Sequence, residues 1–132
     1  AIGLLVLPFL AGLIGAAGPI SNFIVAVIFG IFLRILIPMA TTEFLVTLAM
    51  LVQFIVVINI SLAIFNLIPI PPLDGSKVLF ALLPAKFSRL EEQLTSYGFY
   101  IIIFIIAFKG FRVIVPIIEF LYGLIVGDFL AV

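Results

Sequence analysis

The sequence predicts an all-α membrane protein, a polytopic helical bundle with about three main spans and a proline-broken segment that carries Asp74. Of its 132 residues, 67% are hydrophobic and only 9% are charged, against roughly 25% charged in soluble domains. The mean hydropathy is +1.59, and no charge occurs in residues 1–33 or 44–73. Uncharged apolar runs of this length are typical of helices that cross a bilayer. A soluble core of this size could not hide so much apolar surface.

We interpret residues 1–132 as a single membrane domain whose first half contains two clear spans. Residues 1–18 are apolar but interrupted by glycines and Pro8, so they are expected to form a remnant span or a re-entrant segment. Pro19 suits the first turn of a new helix, and a span is predicted over residues 19–38. A second span is predicted over residues 42–66.

The next segments are less apolar or less regular. In residues 67–84, Pro69, Pro71 and Pro72 forbid a regular helix, and a short helix follows with Asp74 expected at its N-cap. Residues 85–96 are polar and are expected to form a solvent-exposed loop. The basic residues between Asp74 and Ser96 favour the cytoplasmic side for this part of the chain.

Residues 97–127 are apolar again but contain charges and Pro116. We expect a span to about Val115, followed by an interfacial helix. The alternative is that residues 111–127 form a short span of their own.

The residue types that are absent narrow the possible chemistry. The chain has no histidine and no cysteine, which excludes Ser-His and Cys-His nucleophile pairs, disulfides and thiolate metal sites. Ser76 and Lys77 are sequence neighbours and do not face each other on a helix. An aspartyl dyad of Asp74 and Asp128 lacks the glycine motif expected before Asp128. The net charge is zero, so nucleic acid is not an expected partner.

Both clear spans carry small or polar residues on one face. Such a stripe lets another helix approach closely, and an asparagine in it can hydrogen-bond across the contact. Polar groups in spans usually face the bundle interior, but the sequence leaves open whether these pack or take part in chemistry. Gln53 lies off these stripes and has no assigned role. The stripe positions are Gly18, Asn22, Ala26 and Gly30 in the first span and Asn59, Ala63 and Asn66 in the second.

The segment NLIPIPPLDG at residues 66–75 ends an apolar helix and contains one carboxylate, that of Asp74. Irregular backbone at membrane depth is tolerated only inside protein or beside a water-filled cavity. A charged aspartate there needs a partner, water or a cation. Asp74 is therefore either a site residue or the cap of the following helix.

GAAGPISN at residues 15–22, together with NLIPIPPLDG, resembles the site-2 protease family of intramembrane zinc metalloproteases, in its compact prokaryotic branch. The resemblance implies that Asp74 is the third zinc ligand and that Asn66 lies by the active site as an assisting group. It also implies a multi-pass protein of a prokaryotic cell membrane. The implied activity is hydrolysis of peptide bonds in membrane-spanning or signal-peptide-like polypeptides within the lipid bilayer.

The chain departs from the family pattern because it has no HExxH, whose histidines are the other two zinc ligands. Either an upstream helix is missing, as the first residue Ala1 suggests, or the protein is a pseudoprotease. In the second case it would be a non-catalytic scaffold that holds a client helix against the Gly18–Gly30 stripe. We favour the first explanation, because Asp74 and its prolines are intact. Zinc is thus expected in the full-length protein. These 132 residues alone are not expected to bind one zinc ion per chain, since one carboxylate cannot complete a tetrahedral site.

Overall fold

A computed structural model describes residues 2–127, and these residues form five α-helices and no β-strand. Two short 3-10 turns, at Ile37–Met39 and Ala85–Phe87, follow the first and third helices. The all-α prediction is confirmed. The helices are α1 (Ile2–Leu36), α2 (Glu43–Leu67), α3 (Asp74–Leu82), α4 (Ser88–Ala107) and α5 (Phe111–Val126).

Three stretches are long and apolar enough to cross a membrane, which agrees with the three main spans predicted. They are Val6–Met39, Glu43–Leu67 and Ala85–Ala107. At 35 residues, α1 is about 52 Å long. It therefore exceeds a hydrocarbon core of about 30 Å and must tilt or extend beyond it.

The helix boundary expected at Gly18-Pro19 is wrong, because α1 continues through both Pro8 and Pro19. A proline removes one helical hydrogen bond, but membrane helices tolerate it where neighbouring groups compensate. Here Pro19 is fully buried, and α3 packs on the turn just before it. Packing against α3 thus lets the chain continue as one helix through the boundary that was predicted between residues 1–18 and 19–38.

The loop expected at residues 85–96 is also wrong, because α4 begins at Ser88. The polar side chains there are exposed, as expected, but glutamate, glutamine and arginine are good helix formers. Glu91 also lies in the first turn, where a negative charge favours the helix. The polar stretch is therefore the exposed start of a helix.

The apolar C-terminal region breaks earlier than expected. α4 ends at Ala107, and Lys109 takes a positive φ of 58° in the turn that follows. α5 then runs from Phe111 to Val126. The prediction of one span that continues to about Val115 is therefore wrong, and the structure has a separate helix from residue 111. Whether α5 lies in the interface or crosses the bilayer stays a prediction. Asp128 lies outside the described residues.

The hydrophobic core lies where α1, α2 and α5 meet. The short connection between α1 and α2 makes the two an antiparallel hairpin, and α5 packs on both. On α2 the buried side chains recur along one face, which leaves apolar residues such as Phe54 and Ile58 exposed. The buried residues of this core are Ala26, Leu33, Val52, Val56, Ile60, Tyr122 and Val126.

Candidate functional site

Helix α3 lies against a flat face of α1 that is made of glycines spaced three residues apart. A Cβ added at Gly12 would lie 2.7 Å from Cβ of Ala81, and one added at Gly15 would lie 2.7 Å from Cβ of Lys77. Such distances leave no room for a side chain. The glycines therefore let the two helix backbones approach closely, as small residues do in membrane helix pairs.

The third glycine of this face, Gly18, contacts the predicted metal ligand, Asp74. A Cβ at Gly18 would lie 2.9 Å from Oδ2 of Asp74, so the carboxylate rests directly on the α1 backbone. The other oxygen, Oδ1, accepts a hydrogen bond of 2.9 Å from Nζ of Lys77, one turn further along α3. The side chains of Asp74 and Lys77 are 31% and 49% exposed, so this ion pair remains open to its surroundings.

Asp74 is not the N-cap of α3, contrary to expectation. The N-cap residue is Leu73, which has extended backbone angles and offers no side-chain cap. Its carbonyl instead accepts hydrogen bonds from the backbone N–H of Ser76 and from the buried Ser76 hydroxyl, the latter at 2.7 Å. The carboxylate of Asp74 is therefore not used as a cap.

Two further glycines fix the proline-broken segment, residues 68–73, that leads to Asp74. Gly75 is buried, and a Cβ there would overlap the carbonyl groups of Leu67 and Ile68 at the end of α2. Gly98, the buried residue of α4, would likewise overlap the carbonyl of Pro71. The segment is thus held between α2 and α4 by direct backbone contact, and this contact positions Asp74.

The predicted assisting group, Asn66, lies in the last turn of α2 and is half-buried. Its side chain has no hydrogen-bond partner among residues 2–127, and in particular no hydrogen bond joins it to Asp74 there. The structure therefore places Asn66 at the start of the segment that carries Asp74. Its assisting role stays a prediction.

The two ends of the predicted Gly18–Gly30 stripe are covered by helices of this chain. Asp74 of α3 covers Gly18, while Ile125 of α5 covers Gly30 so closely that a Cβ would overlap it. Ala26 is fully buried in the core. Between these contacts Asn22 is only half-buried.

The described residues do not form a complete zinc site. Within residues 2–127, no group of three or more His, Cys, Asp or Glu side chains could hold a metal ion. A carboxylate is a good zinc ligand, but structural and catalytic zinc sites in proteins take three or four protein ligands. Asp74 therefore offers one ligand and pairs with Lys77 in this structure.

Sequence reasoning missed the glycine face and the pairing of Asp74 with Lys77. The spacing of Gly12, Gly15 and Gly18 was a usable signal, because residues three apart lie on one side of a helix. What the sequence did not indicate is that α3, more than 50 residues later, would lie on that face.

Comparisons with known proteins agree with the resemblance. Residues 34–109 match the family model described as Peptidase family M50. The chain is 41% identical over 106 residues to "Putative zinc metalloprotease YwhC" of Bacillus subtilis (strain 168), a match that covers 76% of this chain and 47% of that protein. The chain thus spans about half the length of this curated relative. No solved structure gives a significant match.

Proposed function

The chain belongs to peptidase family M50, and on that premise we propose that it is part of a membrane zinc metalloprotease that cleaves membrane-embedded polypeptides. The observation that carries the proposal is the placement of Asp74. A proline-broken segment at the end of an apolar helix brings this carboxylate onto Gly18 of a second apolar helix. An aspartate that was only a cap would not need this arrangement, and Asp74 makes no cap bond.

In this proposal Asp74 supplies one metal ligand of the full-length protein, and Asn66 assists at the same site. The remaining ligands must come from residues outside these 132, because the chain contains neither histidine nor cysteine. The residues described do not by themselves complete the metal site. Their contribution is to position the carboxylate.

We further propose a multi-pass protein of a prokaryotic cell membrane, whose substrates are membrane-spanning or signal-peptide-like polypeptides. The three long apolar helices support a membrane location. A substrate helix must be unwound before its carbonyl carbon can be attacked, because the peptide groups of a helix are shielded by its own turns. Helix-breaking residues are therefore expected near the cleaved bond.

A second candidate function is the non-catalytic scaffold, which the absence of histidine would favour. In that function a client helix would lie along the Gly18–Gly30 stripe. The contacts of Asp74 and Ile125 cover both ends of that stripe. A client helix would have to displace α3 or α5, and we therefore favour the protease.

The experiment is metal analysis together with a cleavage assay on the protein expressed from its complete open reading frame. Asp74→Asn should remove most of the bound zinc and abolish cleavage, because a neutral amide is a much poorer ligand than a carboxylate. Glu43→Gln, an exposed acidic residue at the start of α2, is the matched control and should keep both. The 132-residue chain alone should bind less than stoichiometric zinc.

Full zinc in the Asp74→Asn protein would show that this metal assignment is wrong. One zinc per 132-residue chain would show the same, since it would require a site that Asp74 alone does not form. A full-length wild type with neither zinc nor cleavage would favour the scaffold.

A further inference from the structure

The turn of α1 around Asn22 is the uncovered part of the small-residue stripe. On one side Gly18 is covered by Asp74 of α3, and on the other Gly30 is covered by Ile125 of α5. Pro19 and Ala26, on either side of Asn22, are buried, but Asn22 itself is half-buried, as Gly18 is. The side chain of Asn22 therefore remains accessible in part.

The side-chain amide of Asn22 has no partner in the part of the chain that the structure describes. Two other polar side chains, one on α1 and one on α2, bond within their own helices: Ser21 donates to the Gly18 carbonyl at 2.8 Å, and Asn59 donates to the Ile55 carbonyl at 2.8 Å. An amide without partners in an apolar setting is costly. Asn22 therefore differs from Asn59 in that its side chain makes no hydrogen bond among residues 2–127.

The free amide lies close to the candidate site. Asn22 follows Gly18 by one helical turn, a rise of about 6 Å. Side chains on a helix lean toward its N-terminus, so the amide of Asn22 leans back toward Gly18. The carboxylate of Asp74 rests on that same glycine.

We infer that Asn22 binds the backbone of an unwound peptide substrate beside Asp74. This rests on the proposed protease function and names the part of the substrate that is recognised. A primary amide offers N–H donors and a carbonyl acceptor, which match the N–H and C=O of one residue in an extended chain, because these two groups point to the same side. In a helix each of those groups is bonded to a group in a neighbouring turn, so Asn22 binds only a segment that has left the helix. Asn22 thereby favours unwound over helical substrate.

The test compares Asn22→Leu with Asn59→Leu in the full-length protein, using a synthetic membrane peptide as substrate. Leucine has the same branched skeleton as asparagine and removes both hydrogen-bonding groups, and the control variant shares its larger volume. Asn22→Leu should raise KM roughly five- to tenfold, the effect of one neutral hydrogen bond, with less than a twofold change in kcat. Zinc content should be unchanged. The control Asn59→Leu, whose amide is already bonded within α2, should keep the KM of the wild type.

A second measurement identifies the bonded substrate group. Peptides in which a single backbone N–H near the cleaved bond is replaced by an ester oxygen are compared with the parent peptide. One ester position should raise the wild-type KM and have no further effect in Asn22→Leu, because the same interaction has been removed from both partners. If each ester peptide changes KM by the same factor in the wild type and in Asn22→Leu, Asn22 does not bind the substrate backbone.

A third measurement covers the case in which Asn22→Leu does not fold. A photo-reactive benzoylphenylalanine at position 22 of the Asp74→Asn protein should cross-link to the peptide near its cleavage site, while the same group at exposed Phe29 should not. Absence of the cross-link at position 22 overturns the inference.

The outcomes also separate this inference from the proposed function. A wild type that binds zinc and cleaves, with unchanged KM in Asn22→Leu, overturns only the role of Asn22. Loss of zinc in Asn22→Leu also overturns it, because the residue would then support the metal. A wild type that neither binds zinc nor cleaves overturns the proposed function itself.

Discussion

The two halves of the molecule are held together in opposite ways. Where α3 meets α1, glycines allow backbone and short side chains to touch, and Asp74 lies on Gly18 with no side chain between them. Where α5 meets α1 and α2, bulky side chains such as Ile60 and Val126 interdigitate and are fully buried. The site half therefore has no room for added atoms, whereas the core half, apart from the close contact of Gly30 with Ile125, depends on the atoms that fill it.

This difference has a physical reason in a membrane protein. Lipid is as apolar as leucine, so burial adds little attraction between helices, and close packing has to supply it. Backbone contact through glycine also fixes a position more rigidly than long side chains do, because it involves no rotamers. As the proposed metal ligand, Asp74 gains from such a support, since small displacements of a site residue cost activity.

The largest effect is expected for Gly75→Ala in the site half. The added methyl group would overlap the carbonyls of Leu67 and Ile68, and backbone cannot move aside as a flexible side chain can. We expect a loss of about 3 kcal/mol in the free energy of unfolding, at the upper end for overpacking. Unfolding by SDS in mixed micelles, followed by circular dichroism, measures this loss.

Gly3→Ala is the matched control for Gly75→Ala. A Cβ at Gly3 meets nothing within 4 Å, and alanine is a better helix former than glycine. Its free energy of unfolding should be equal to that of the wild type or slightly higher. If both variants unfold alike, the site half does not depend on backbone contact and the comparison fails.

A smaller effect is expected for Ile60→Ala in the core half. Ile60 is fully buried, and its truncation leaves a cavity between α2 and its neighbours. Since membrane burial lacks most of the hydrophobic transfer term, we expect about 2 kcal/mol, at the low end for such truncations. The same SDS titration measures it.

Ile58→Ala on the same helix tests whether burial is the cause. Ile58 is 52% exposed and should change the free energy of unfolding by less than about 0.5 kcal/mol. Equal losses at the two positions would mean that the core half is not packed as described.

The smallest effect is expected for Lys77→Gln. The ion pair of Lys77 with Asp74 is partly exposed, and exposed pairs contribute about 0.5 kcal/mol or less after screening and loss of side-chain entropy. Unfolding should therefore be close to that of Arg89→Gln, an exposed control on α4. A loss above about 1.5 kcal/mol in Lys77→Gln alone would show that charge pairing, and not glycine contact, holds the site half.

Several features of the fold could be predicted from local sequence. The apolar runs indicated the three long helices, and the prolines at 69, 71 and 72 indicated the irregular segment before Asp74, because proline excludes a regular helix whatever surrounds it. The assignment of the chain to its peptidase family also followed from two short motifs, GAAGPISN and NLIPIPPLDG. The metal role of Asp74 and the assisting role of Asn66 remain predictions.

Other features depended on contacts between distant parts of the chain. Pro19 is a helix-starting signal by itself, yet α1 continues through it because α3 packs on the adjacent glycines. The polar residues after Pro84 are equally compatible with an exposed loop or an exposed helix, and the structure has the helix. In both places the local sequence is compatible with two conformations, and the structure selects one of them.

The sequence by itself thus determined the helical membrane character, the irregular segment and the candidate carboxylate, because each rests on the chemistry of neighbouring residues. The tertiary structure alone decided what lies against each helix face: α3 and Asp74 on Gly12–Gly18, Ile125 on Gly30, and Pro71 on Gly98. Periodicity shows which residues share a face, but the partner of that face is set by the packing of segments far apart in the chain. That packing is also what leaves Asn22 half-buried, one helical turn from the glycine that Asp74 contacts.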